Sequence, residues 1–150
     1  MKNFGSFLLF LIVVMGGGIA IGTLTAPGEW YGDLQKPFFN PPNWIFGPVW
    51  TVLYLMIAYV GWRVWHHDDR VSLIRLWTVQ MGLNFLWSPV FFAAQNPALA
   101  LVIILCLLLT IGGFIRTAWR PDRLSALLFV PYLAWVGFAS ALNVAIVQLN

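Results

Sequence analysis

An all-α bundle of five transmembrane helices, capped on one side by a structured loop, is the architecture this sequence predicts. Composition points there first: of 150 residues, 61% are hydrophobic and only 9% charged. A soluble domain is about half apolar and about a quarter charged, so this chain cannot cover its surface with polar groups. Disorder fails for the opposite reason, since it needs low hydrophobicity and high net charge. The second observation is length, because about 20 helical residues cross a bilayer and the apolar runs fall at about 4–25, 44–65, 76–94, 98–115 and 124–149. Third, these runs lack the alternation of barrel strands, and backbone amides in lipid must be satisfied within the segment, so helices are the only reading. Residues 1–150 form one such domain.

The first run begins after Lys2 and carries Gly16, Gly17, Gly18 and Gly22, which let a neighbour approach closely. Gly18 and Gly22 form a GxxxG pair, a weak sign of a dimer face. At 22 residues the run exceeds the usual 7–15 residue core of a signal peptide. Residues 26–43 follow, with Pro27, Pro37, Pro41 and Pro42 among Trp30, Tyr31, Phe38 and Phe39. Proline fixes φ and the aromatics need an apolar surface, which predicts a cap rather than a linker. Between the third and fourth runs stands only Gln95-Asn96-Pro97, which predicts a tight antiparallel hairpin. Pro89 and Pro131 interrupt the third and fifth runs, each leaving a carbonyl without its usual donor and opening space between helices. No internal repeat is visible, which argues against an inverted-repeat transporter.

With five crossings, Lys2, Arg63, Arg70, Arg75, Arg116, Arg120 and Arg123 share one side and Lys36 alone lies on the other. In an inner or plasma membrane this puts the N-terminus in the cytoplasm and the C-terminus outside. The formal charge of +3 is scattered rather than clustered, so nucleic acid is not an expected partner.

Six of the nine tryptophans fit interfacial belts: Trp62, Trp65, Trp77 and Trp119 on the basic side, Trp30 and Trp44 on the other. Trp50, Trp87 and Trp135 lie deeper. Helical spacing places Trp50, Tyr54 and Ile57 on one face, and Gln80, Asn84, Trp87 and Phe91 on another. A third carries Tyr132, Trp135, Ala139 and Leu142, with Asn143 close by. Amides at that depth mark an interior surface. Either these faces pack against one another or they line a cavity under the cap, and residue types alone lean to packing.

Catalytic chemistry finds little support. His66 and His67 are adjacent and point different ways on a helix, so no metal site is expected. Ser88 and Ser140 have no base nearby in sequence. The acids Glu29, Asp33, Asp68, Asp69 and Asp122 all lie outside the runs, which leaves no carboxylate for a proton relay. Cys106 stands alone, which excludes an internal disulfide.

Several strings resemble the translocator proteins, also called tryptophan-rich sensory proteins or peripheral benzodiazepine receptors. They are Trp30-Tyr31, Leu34-Gln35-Lys36-Pro37, Asn40-Pro41-Pro42, Gly47-Pro48-Val49-Trp50 and Leu53-Tyr54, then residues 84–92, Val130-Pro131-Tyr132, Trp135 and Asn143. The resemblance covers most of the chain. It implies a five-helix bundle that binds tetrapyrroles such as protoporphyrin IX or haem, with benzodiazepine-type ligands and sterols in some members, and frequent homodimers. No cofactor is required by it. Family roles in lining the pocket fall on Trp50, Tyr54, Asn84, Trp87 and Trp135, with residues 30–42 as the closing cap, which reverses the lean to packing. The resulting expectation for the ligand site is Trp50, Tyr54, Gln80, Asn84, Trp87, Phe91, Tyr132, Trp135 and Asn143, under a cap of Trp30, Tyr31, Pro37, Phe38, Phe39, Pro41 and Pro42. Two other readings accompany it: a porphyrin-degrading enzyme using Trp50 and Trp135, and a structural dimer interacting with lipid or sterol. Phe38 and Phe39 stand where the family commonly has tryptophan, so an indole donor is lost from the cap. The terminal sterol motif of animal members has no counterpart in residues 141–150, although Leu55, Tyr59 and Arg63 match a loose sterol pattern.

Overall fold

A computed structural model describes residues 2–66 and 70–150; Met1, His67, Asp68 and Asp69 lie outside the described residues. Among the described residues the chain forms five long helices and one short one. Helix α1 spans residues 2–24 and contains a π-helical turn at Ile12–Gly16 that the sequence did not announce. The short α2 is Glu29–Asp33. Helix α3 covers residues 43–65, opening with a 3₁₀ turn at Asn43–Ile45. Helix α4 runs from Val71 to Ser88 and continues as a π turn through Pro89–Ala93. Helices α5, Pro97–Ala118, and α6, Arg123–Leu149, complete the bundle.

Local chemistry explains the ends. Pro89 has no N–H to give the preceding turn, and the backbone widens so that Ala94 donates to the Pro89 carbonyl at 2.9 Å. The expected tight hairpin follows: Gln95 takes φ of 52°, Asn96 Oδ1 accepts from Leu99 N at 3.0 Å, and Pro97 opens α5. Asp122 caps α6, accepting from Ser125 N at 3.3 Å and Ser125 Oγ at 2.7 Å. Pro131 lies in an unbroken α6, on its exposed side rather than next to interior space.

The helices close a ring in the order α1, α3, α6, α5, α4, with the α5–α6 and α4–α5 seams the most extensive. Helix α1 is peripheral, with Val14 its one buried hydrophobic residue. Phe4–Leu24, Asn43–Trp65, Pro97–Ala118 and Arg123–Leu149 are long and apolar enough to cross a membrane. The expected third span, 76–94, is helical but falls short of that hydropathy, because α4 carries Arg75, Gln80 and Asn84. Its polarity is turned inward: Gln80 and Asn84 are buried, whereas Val71, Val79 and Leu86 on the same helix are exposed.

At the end bearing the α5–α6 turn, the bundle is solid. Ile57, Leu73, Ile111, Phe114 and Phe129 are buried, and the Phe114 and Phe129 rings lie 4.3 Å apart. Trp77, expected in an interfacial belt, is instead part of this core. Its Nε1 donates to the Ile57 carbonyl at 3.0 Å, Phe10 meets its ring edge-on at 5.4 Å, and Gly61 makes room for it. A Cβ on Gly61 would come within 2.5 Å of that indole. Trp65 and Trp119 are exposed on this side and Trp44 on the other, as interfacial residues are. Asp122 completes the basic end, held by Arg63 at 3.0 Å and Arg70 at 2.6 Å.

Candidate functional site

The opposite end encloses a cavity of about 640 Å³. All five long helices and the 26–43 segment contribute to its wall. Trp50, Tyr54, Asn84, Trp87, Phe91, Trp135 and Asn143, all expected from the sequence, line it. Gln80 and Tyr132, also expected, do not. They are completely buried beneath its floor, Tyr132 bonded to Asn84 and Gln80 bonded in turn to Tyr132.

That floor is a directional chain. Tyr54 donates to Asn84 Oδ1 at 3.1 Å, Asn84 Nδ2 donates to the Tyr132 oxygen at 2.7 Å, and Tyr132 donates to Gln80 Oε1 at 2.8 Å. Three helices, α3, α4 and α6, are thereby cross-linked, and Asn84 is held in one orientation because both its amide groups are used. A second amide, Asn143, accepts from Trp87 Nε1 at 3.1 Å and donates to the Pro97 carbonyl at 2.8 Å, which fixes the indole plane. Trp50 lies 5.2 Å from the Tyr54 ring and Trp135 lies 5.6 Å from Phe46. The wall is therefore aromatic faces with a few oriented amides.

Sequence reasoning missed the contribution of α1. The close approach expected at its glycines occurs at Gly18, which receives the Tyr54 ring of the same chain, and at Gly17, which faces Phe85. Gly18 and Gly22 both line the cavity, a role that the sequence did not assign to them. Asn40, Asn43, Phe46, Ile104 and Leu107 were also not anticipated as lining residues. Thr25 and Ser88 pair at 2.6 Å, joining α1 to α4 at the wall.

The cap is only partly as expected. Tyr31 lines the cavity and stacks edge-on against Phe91 and Phe92, at 6.1 and 5.3 Å. Burial pushes the Tyr31 phenol above its usual value, so it stays neutral. Lys36 donates to the Tyr31 carbonyl at 2.6 Å and stands 4.5 Å over that ring, closing the C-terminus of α2. Trp30 packs on Phe91 at 6.0 Å and Phe39 on Phe138 at 6.3 Å. Phe38 is fully exposed, meeting only the edge of Phe39 at 5.3 Å among the described aromatic rings, and does not line the cavity, while Pro37, Pro41 and Pro42 shape the loop without touching it. Asn150 ties the cap down, its amide exchanging two hydrogen bonds with the Gln35 backbone at 2.9 and 3.0 Å.

Of the other residues singled out, His66 bonds to Ser6 and the Trp62 carbonyl, and His67 lies outside the described residues. Tyr59 and Arg63, from the loose sterol pattern, contact each other at 5.8 Å while Arg63 is engaged by Asp122.

Residues 9–149 match the model of the TspO/MBR family. The chain is 43% identical to the tryptophan-rich protein TspO of Archaeoglobus fulgidus over 146 residues, covering 93% of this chain and 94% of that protein. It is 35% identical to the tryptophan-rich sensory protein of Cereibacter sphaeroides, covering 96% and 90%. To the human translocator protein it is 39% identical, covering 89% and 83%. With the pattern of apolar helices described above, these likenesses make it an integral membrane protein and a member of the TspO/MBR family.

Proposed function

We propose that the cavity binds a tetrapyrrole, of the class of protoporphyrin IX or haem, and that the protein acts as a membrane sensor or carrier for it. The observation that carries this reading is a cavity of about 640 Å³ walled by three indoles, Trp50, Trp87 and Trp135, at the cap end of the bundle. Its size is that of a small-molecule site. Flat aromatic walls suit a flat aromatic guest, which gains from burial and from stacking alike. Oriented amides at the floor and wall supply the few polar contacts that fix a ligand's orientation. The names of the relatives, sensory protein and translocator protein, support a role in sensing or moving such a ligand.

The same reading has α4 cross the bilayer as a fifth span, supported by its inward Gln80 and Asn84 and outward Val79 and Leu86. Arg63 and Arg70 meet Asp122 at the end opposite the cap, which supports a cytoplasmic position for that end.

Titration of the purified protein with protoporphyrin IX, followed by tryptophan fluorescence, tests the proposal. Saturable quenching near one equivalent is expected, weakened about tenfold or more by Trp50→Ala and by Asn84→Leu. No quenching in the unaltered protein overturns it. Degradation of the bound porphyrin is a second reading, favoured by Trp50 and Trp135 lining the same cavity. Aerobic incubation in light separates the two: a binder leaves the porphyrin intact, whereas an enzyme converts many equivalents.

A further inference from the structure

Among the described residues, two hydrogen bonds join residues 28–40 to the long helices, and both belong to one side chain. Asn150, which follows α6, accepts from Gln35 N through Oδ1 at 2.9 Å and donates from Nδ2 to the Gln35 carbonyl at 3.0 Å. Turning the amide over would set like against like at both atoms, so its orientation is fixed. Nδ2 also donates to the Ile146 carbonyl at 2.9 Å, which braces the side chain on its own helix. Apolar packing supplies the rest of the cap's hold: Trp30 on Phe91, Tyr31 on Phe91 and Phe92, and Phe39 on Phe138. Apolar burial is non-directional, whereas the paired bonds define one position of the cap.

Gln35 is not a loose point of the loop. Lys36 Nζ donates to the carbonyls of Tyr31, Gly32 and Leu34, at 2.6, 3.3 and 3.2 Å, so the turn that holds Gln35 moves together with α2. Tyr31 of α2 lines the cavity, and Ile146 lines it from α6. Asn150 thus joins a wall of the cavity to its cap without lining the cavity itself.

Resting on the tetrapyrrole reading above, we infer that Asn150 is the latch of the cap, a positioning residue that sets how fast the ligand enters and leaves rather than how tightly it binds. The pairing lies at the surface, where water replaces either partner, so it opens at modest cost. Neither Asn150 nor Gln35 lines the cavity, so the latch contributes equally whether or not the ligand is bound. An interaction that is equal in both states shifts no binding equilibrium. It does lower the open fraction of the cap, through which ligand passes in both directions.

Stopped-flow mixing with protoporphyrin IX, read by tryptophan fluorescence, gives the association rate, and capture of released porphyrin by excess serum albumin gives the dissociation rate. Asn150→Ala is expected to raise both by the same factor, about three- to tenfold for a surface pair of hydrogen bonds, and to leave Kd within about twofold. Hydrogen exchange at the Gln35 amide, measured without porphyrin, should quicken in the same variant, while exchange around Trp77 stays as it was and reports an intact fold. Unchanged rates, or faster dissociation matched by an equal loss of affinity, overturn the latch and leave the ligand class standing. Unchanged exchange at Gln35 overturns it without any ligand. An unaltered protein that binds no porphyrin overturns the tetrapyrrole reading and the latch together.

Discussion

The two ends of the bundle use the same residue type in opposite ways. At the basic end Trp77 is enclosed, its N–H paired with the Ile57 carbonyl and its ring received by Gly61 and Phe10. At the cap end Trp50, Trp87 and Trp135 stand around a cavity, and among the described residues the Trp135 N–H has no partner. Helix α1 is one source of the difference. Near Trp77 it supplies the bulk of Phe10, while beside the cavity it supplies Gly18 and Gly22. A second source is the π turn after Pro89, which widens α4 where Phe91 and Phe92 reach the wall. Depth in the membrane does not assign a tryptophan its role; what faces it does.

If this contrast holds, substitutions at the two ends separate stability from binding. Trp77→Ala leaves a hole in the solid end and removes the indole's hydrogen bond to the Ile57 carbonyl, and is expected to cost about 3 kcal/mol or more. Thermal unfolding in detergent measures that cost, with porphyrin affinity in the folded fraction unchanged. Asp122→Ala removes the partner of two arginines and a helix cap, and about 2 kcal/mol of stability should go with it.

The pH dependence of the same carboxyl sharpens the point. Burial pushes Asp122 upward, but hydrogen bonds from Arg63 and Ser125 outweigh it and hold the group below its usual range. Its contribution is therefore complete above the ordinary carboxyl value and disappears as pH falls toward and through its own lower one. Unfolding midpoints measured down an acid series should drop in the unaltered protein and drop less in Asp122→Ala.

Smaller effects belong to the hollow end. Gly18→Ala sets a methyl against the Tyr54 ring, which must swing away from Asn84, at a cost of about 1–2 kcal/mol. Titration should show weaker porphyrin binding for it. Phe38→Ala is expected to change stability by less than about 0.5 kcal/mol, because the ring is fully exposed.

Much of this was legible in the sequence because helical period and depth are simple arithmetic. The faces of Trp50 and Tyr54, of Asn84 and Trp87, and of Trp135 and Asn143 do come together around one cavity. Trp77 was misread since a tryptophan near a helix end looks interfacial, and only Gly61, on another helix, reveals the slot that receives it. Gln80 and Tyr132 share the correct faces, yet lie one layer below the cavity, a distinction that spacing along a single helix does not carry. Phe38 was grouped with the cap by composition, although loop direction, which is not periodic, turns it outward. The part played by α1 was hidden because glycine leaves no side chain by which to recognise what it faces.

Amide hydrogen exchange, mapped along the chain with and without protoporphyrin IX, tests the contrast between the two ends most directly. The account predicts slower exchange on binding in the cap segment and around residues 84–92 and 135–146, with no change around Trp77, Phe114 and Phe129. Protection centred on the solid end, or spread evenly over all five helices, would contradict it.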